Sequence, residues 1–217
     1  MFDRYNKSEP FSHLLVDDFL SLPLIKSIND EFWDFKDPKW DKFGSMFYNK
    51  NAQKKQMYEL EKMPPSIQQF YSLCTSRDFL DSLSKMSRLN VDKYSLFGAG
   101  MNVYGDNAEL KAHTDFNFNN DIKAYRCLNL LLYLCDDWTE EHGGCLQLFS
   151  GDFKKSIDIA PLSNRLVIFP TNDKTPHGVS RVASGVQRRS LSLYYYSVEC
   201  PPNISKQPHR TIWKKNE

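Results

Sequence analysis

No run of about 18 consecutive apolar residues occurs in this 217-residue chain, so the sequence predicts no membrane-spanning helix. No charge of one sign dominates either. With 28 Lys and Arg against 27 Asp and Glu, the net charge is +1, too small for a global field that would draw the protein to nucleic acid or to a membrane surface. Cysteine is sparse and unpatterned. Cys74, Cys127, Cys135, Cys145 and Cys200 form an odd set without a CxxC, which argues against a disulfide framework and for a reduced, cytoplasmic setting. The start, "MFDRYNKSEPFSH", has no cationic region followed by an apolar stretch, so no signal peptide is expected. Repeats and low-complexity segments are missing as well.

What is present suits one domain over residues 1–217. Hydrophobic residues make up 41%, enough to bury a core. Residues 1–94 read as a helical support. In "SLPLIKSINDEFWDF", Pro23 sits where a first helical turn tolerates it, and Leu24, Ile28 and Phe32 recur on one face. "SHLLVDDFL" ahead of it predicts a short strand. Residues 64–89 predict one or two further helices with Ile67, Phe70 and Leu73 on one stripe. Segment 38–55, with Trp40, Phe43, Gly44 and Phe47, has no clean period and reads as an aromatic surface loop or a lid over a pocket.

From about residue 95 to 200 the pattern changes to eight short apolar runs at regular spacing, separated by turn residues: "YSLFGAGMNVY", "ELKAHTD", "RCLNLLLYLC", "GGCLQLFS", "KKSIDIAP", "RLVIFP", "HGVSRV" and "RRSLSLYYYSV". That predicts a mainly β core, a jelly roll or a barrel, with the N-terminal helices packed on one of its sheets. The tail 201–217, which includes "KQPHRTIWKK", reads as a solvated C-terminus.

One pair within this β region carries chemistry. His113 and Asp115 in "AHTDFN" are two apart, so on a strand both point to one face. Alone, such a pair is as readily a turn. His177, which opens "HGVSRV", supplies a third ligand from another strand, and two imidazoles with one carboxylate make the facial triad of non-haem Fe(II) oxygenases. Three positions on the metal then stay open. Arg188 shares a strand face with Ser190, Ser192 and Tyr194, and a guanidinium beside a hydroxyl is a clamp for a carboxylate. Arg189 is its competitor, but its face carries Leu191 and Leu193. His142, beside two glutamates, reads as a polar turn, and His13 and His209 as structural or surface residues.

With these blocks in view, "YGDNAELKAHTD", "YRCLNLLLYLCDDWTEEHGGCLQLF", "RLVIFPTNDKTPHGVSRV" and "RRSLSLYYY" resemble the successive core blocks of the 2-oxoglutarate- and Fe(II)-dependent dioxygenases, in particular the prolyl 4-hydroxylase-like branch. The resemblance covers about residues 97–197. It implies a double-stranded β-helix (jelly roll, cupin-like) fold, with His113, Asp115 and His177 as metal ligands. It also implies Arg188 with Ser190 at the far carboxylate of 2-oxoglutarate, and Tyr104 and Tyr133 as hydrogen-bonding partners of that cosubstrate. Asn129 and Leu131 share Tyr133's face and are expected to line the pocket, and Arg126 to reach the substrate side. Cys145 stands where many relatives carry an acidic residue after the "GG" pair.

The implied activity is hydroxylation of an unactivated C–H bond with Fe(II), 2-oxoglutarate and dioxygen, with ascorbate as an optional reductant. The carboxylate at Asp115 favours hydroxylation over halogenation, which needs that position empty. A prolyl residue of a peptide or protein is the first expected substrate, and a free amino acid or small metabolite the alternative. A nucleic-acid demethylase is disfavoured by the balanced charge, and a non-catalytic jelly-roll module by the presence of all three ligands and the clamp arginine. The sequence carries no signal of oligomeric state.

Overall fold

The computed structural model describes Tyr5 and residues 8–42 and 53–214. Phe43, Gly44 and Phe47, from the expected aromatic loop or lid, lie outside the described residues.

Among the described residues, four α-helices form where apolar spacing and local stops permit. Helix α1 (Leu22–Glu31) carries Pro23 in its first turn, and Phe32 is already extended. Helix α2 (Lys39–Lys42) is one turn that buries Trp40. Helix α3 (Pro65–Cys74) again starts on a proline. Helix α4 (Arg77–Ser87) is capped by Ser76, whose hydroxyl accepts from the Phe79 N–H, and ends where Arg88 turns left-handed.

Twelve strands among the described residues follow the period of two. They are β1 (Leu14–Val16), β2 (Lys54–Met57), β3 (Lys93–Tyr104), β4 (Leu110–Thr114), β5 (Phe118–Asn119), β6 (Ala124–Tyr133), β7 (Leu146–Phe149), β8 (Ser156–Ile159), β9 (Leu166–Pro170), β10 (His177–Val179), β11 (Arg188–Ser197) and β12 (Ile212–Trp213). They build two antiparallel sheets, one in the order β1-β9-β6-β11-β3-β2 with β5 attached to β6, the other β12-β4-β10-β7-β8. This is the expected jelly roll, and all eight expected strands are in it.

Alternation along the central strands sorts side chains between two compartments. Leu128, Leu130 and Leu132 of β6 and Leu191, Leu193 and Tyr195 of β11 meet Ile28, Ile67, Phe70 and Leu83 of the helices in one buried cluster. The other face of the same strands looks between the sheets. There Tyr133 packs with Leu146, Leu148, Ile159, Val167 and Phe169. The helices therefore share the core of the larger sheet, and the inner compartment is left for polar groups. No helix among the described residues is long and apolar enough to cross a membrane.

Two expectations from the sequence need correction. Leu73 is not on the buried stripe of α3 but 48% exposed, whereas Tyr71 and Cys74 are buried. Two successive steps of three residues drift well over 90° around a helix, and the buried face is kept only by mixing threes and fours. The tail is not free in solvent. Residues 212–213 form β12 and pair with β4. Asn117 holds the approach: its Nδ2 donates to the Ser205 and Gln207 carbonyls and its Oδ1 accepts from the His209 N–H.

Phe70 has no exposed surface. Phe70→Ala should cost about 3–5 kcal/mol of unfolding free energy in a denaturant titration, while Leu73→Ala should stay within about 0.5 kcal/mol. Equal losses would contradict the corrected stripe.

Candidate active site

Strand register sets the centre of the site. In the smaller sheet His177 of β10 lies opposite His113 of β4. Their rings approach to 4.5 Å between centroids. Asp115, just past the end of β4, stays on His113's face. Its Oδ1 is 3.6 Å from His113 Nε2, and its Oδ2 is 3.4 Å from His177 Nε2. One ligand atom from each residue lies within 4.8 Å of the others, close enough for the three to hold one metal ion. Among the described residues this is the one such group.

The surroundings prepare these atoms. His113 Nδ1 lies 2.8 Å from the Lys111 carbonyl and His177 Nδ1 lies 3.2 Å from the Thr175 carbonyl. A carbonyl only accepts, so each Nδ1 carries a proton and each Nε2 is the ring nitrogen directed at Asp115. Burial first pushes the His177 imidazole down to about 4, with the Asp115 charge working against it, so the ring is neutral at neutral pH. Burial by itself would raise the Asp115 carboxyl. The Arg126 charge outweighs it and holds the group well below the usual carboxylate range.

Arg126, which the family resemblance places on the substrate side, lines the cavity but does not stand free in it. Its guanidinium is instead buried against the ligand carboxylate, with Nη2 3.0 Å from Asp115 Oδ2. Its Nε and Nη2 also donate to Asn129 Oδ1, and Asn129 Nδ2 donates to the same Asp115 oxygen. The Tyr194 ring covers the guanidinium at 3.3 Å and the Phe116 ring lies 4.8 Å away. Arg126 and Asn129 thus occupy Oδ2 and leave Oδ1 as the atom open to a metal. Strand position alone does not reveal this, because β6 and Asp115 are brought together only by the closing of the roll.

The other end of the cavity is built around Arg188. The cavity is lined by the triad together with Lys54, Asn102, Tyr104, Leu131, Arg188, Ser190, Ser192 and Tyr194. Arg188 Nε donates to the Gly144 carbonyl at 2.6 Å. Gly144 has φ +69°, and a Cβ there would come within 3.1 Å of Arg188 Cδ, so the second glycine of the "GG" pair is a shelf for the arginine. The guanidinium lies 5.2 Å from the Tyr104 ring and 4.9 Å from the Tyr133 ring. The Tyr133 hydroxyl is buried and has no hydrogen-bond partner among the described residues. Burial, opposed by Arg188, pushes its phenol up to about 12, so it remains a donor. A fixed cation beside an unanswered O–H donor suits a carboxylate. Arg189 takes the opposite face, near Phe32 and Asp136.

Two residues enter this region without any sequence signal. Lys54 of β2 lies opposite Tyr104 of β3 and lines the cavity. Trp213 of β12 lies opposite His113, its ring 4.7 Å from the imidazole.

Comparisons with known proteins agree with this geometry. The family model for the 2OG-Fe(II) oxygenase superfamily matches residues 99–196. Prolyl hydroxylase EGLN3 of Mus musculus is 28% identical over 93 residues, 42% of this chain, and the match spans only 38% of that relative's length. The structure of a Pseudomonas putida prolyl-4-hydroxylase superposes with a TM-score of 0.66 at 18% identity, over 89% of this chain and 97% of that one. A Trichoplax adhaerens prolyl hydroxylase, solved with a peptide fragment of the hypoxia inducible factor oxygen degradation domain, gives 0.65 at 18% identity, over 90% and 86%. Over residues 99–196 the chain is similar to the 2OG-Fe(II) oxygenase superfamily, and its fold is of the prolyl-4-hydroxylase type around the His113–Asp115–His177 site.

Proposed function

We propose that this protein is a 2-oxoglutarate- and Fe(II)-dependent hydroxylase acting on a prolyl residue of a peptide or protein. The observation that carries the reading is the convergence of His113, Asp115 and His177 beside a buried guanidinium and an unpartnered buried hydroxyl. Ferrous iron, 2-oxoglutarate and dioxygen would together supply the oxidation that places a hydroxyl on an unactivated C–H bond.

The chain's own contributions follow from the geometry. His113 and His177 would present Nε2, each ring held by its Nδ1 contact to a backbone carbonyl, and Asp115 would present Oδ1. Arg126 and Asn129 fix that carboxylate, so no reorientation is needed on loading. Arg188 and Tyr133 would hold the far carboxylate of 2-oxoglutarate, with Tyr104 and Ser190 beside it. Leu131, Leu146, Phe169 and Val179 wall the cavity and keep water from the reacting groups.

A hollow of about 480 Å³ lined by Phe97, Phe116, Phe118 and the tail residues Pro208, His209 and Arg210 favours a chain-like substrate over a small metabolite. Phe116 joins the hollow to the site, because it follows Asp115 directly and its ring faces Arg126. The peptide bound to the Trichoplax relative supports the same choice.

Anaerobic titration of the Fe(II)-loaded protein with 2-oxoglutarate should produce a weak visible charge-transfer band that His177→Ala loses. Bound iron without such a band would overturn the reading. Arg188→Gln removes a charged hydrogen bond of about 1.5–3 kcal/mol and should weaken 2-oxoglutarate binding by about 10- to 150-fold, whereas Arg189→Gln should change it less than about twofold. Trp213 also reports the metal. Co(II) added to metal-free protein should quench tryptophan emission, and Trp213→Phe should lose most of that quench; an undiminished quench would mean that the metal binds away from His113.

A further inference from the structure

The charges lining the cavity do not balance. Asp115 is its one carboxylate, against Arg126, Arg188 and Lys54. Arg126 is answered by Asp115 at 3.0 Å, and Arg188 faces the space assigned to the cosubstrate's far carboxylate. Lys54 is left over. Its ammonium lies 5.3 Å from the centroid of the Tyr104 ring and has no carboxylate partner among the described residues.

The backbone fixes this placement. Lys54 and Gln56 of β2 lie opposite Tyr104 and Asn102 of β3, and Gln56 donates to Asn102 on the inner face. Lys55 and Met57 take the other face, with the Lys55 ammonium over Phe35 and Met57 in the helix-side core. The neighbouring sequence has no acid to offer. Residues 42–58 contain Lys42, Lys50, Lys54 and Lys55 and neither Asp nor Glu. A half-buried ammonium at a site that already holds two arginines is costly unless an anion arrives with the ligand.

We infer that Lys54 is a specificity residue that pairs with a carboxylate of the substrate near the carbon to be hydroxylated. This deepens the hydroxylase reading and rests on it. The carboxylate is either an acidic side chain adjoining the target residue or a main-chain terminus. In both cases the substrate fills the remaining negative position of the cavity, and it orients its C–H bond by an ion pair in a dehydrated setting, where such a pair counts most.

The test uses the full chain loaded with Mn(II) and 2-oxoglutarate, and short prolyl peptides as probes. One peptide has aspartates flanking the proline and one has asparagines there. A second pair ends in proline as the free acid or as the amide. Equilibrium binding is read by fluorescence anisotropy. At least a tenfold preference for the carboxylate member of one pair is expected, and the pair that shows it identifies the source. Lys54→Met should remove the preference, Lys54→Arg should keep most of it, and Lys55→Met should leave it in place.

No preference in either pair, or a preference that survives in Lys54→Met, overturns the inference. A weaker 2-oxoglutarate charge-transfer titration in Lys54→Met, with the Fe(II)-loaded protein, also overturns it by placing Lys54 on the cosubstrate. The absence of that band in the unmodified protein would be a failure of the hydroxylase reading itself, separate from the role of Lys54.

Discussion

The structure turns on a carboxylate buried between two imidazoles. Asp115 keeps only 9% of its side chain exposed, where an isolated charge is costly. It stays ionised because Arg126 and Asn129 bind its Oδ2. Breaking such a buried pair costs about 3–5 kcal/mol, so the arginine and the asparagine must arrive with it, while strand register brings both histidines to the same place. That demand ties the end of β4 to the start of β6 and to β10, across the two sheets.

The jelly roll meets it by dividing labour between the faces of its central strands. On β6 and β11 Leu128, Leu130, Leu132, Leu191 and Leu193 go to the helices, and Asn129, Leu131, Arg188, Ser190 and Ser192 go to the cavity. The helical layer is therefore not an ornament beside the site. It buries the apolar half of the strands whose polar half builds the cavity, and it holds the register that keeps Arg188 inward and Arg189 outward. Close backbone approach does the rest. Gly178, immediately after His177, lets β10 lie against β4, since a Cβ there would come within 2.7 Å of the Leu110 carbonyl.

Much of this arrangement is legible in the amino-acid order. Eight short apolar runs set off by turn residues mark the core strands, because each strand buries apolar side chains and ends where a turn residue breaks it. The i, i+2 spacing puts His113 and Asp115 on one side, and the alternation of "RRSLSLY" separates Arg188 from Arg189. The features that are not legible share a cause. Leu73 is apolar and in step, but only the neighbouring surface decides which arc of a helix is covered. The tail reads as solvated because its few apolar residues, Ile212 and Trp213, have no internal period, yet β4 offers them an open edge. Arg126 has the pattern of a strand-end charge free for a ligand, and Lys54 sits in a polar run with no period.

Local spacing along the chain determines the eight core strands, the face of each central side chain and the ligand types of the site, because each of these is written within one stretch of residues. Which charges meet is decided by the closing of the roll. Arg126 finds Asp115, Lys54 comes to rest over Tyr104, and Trp213 lies against His113 because strands distant in sequence become neighbours there. Such pairings depend on which strand edges and faces come together in three dimensions, and no single segment encodes that.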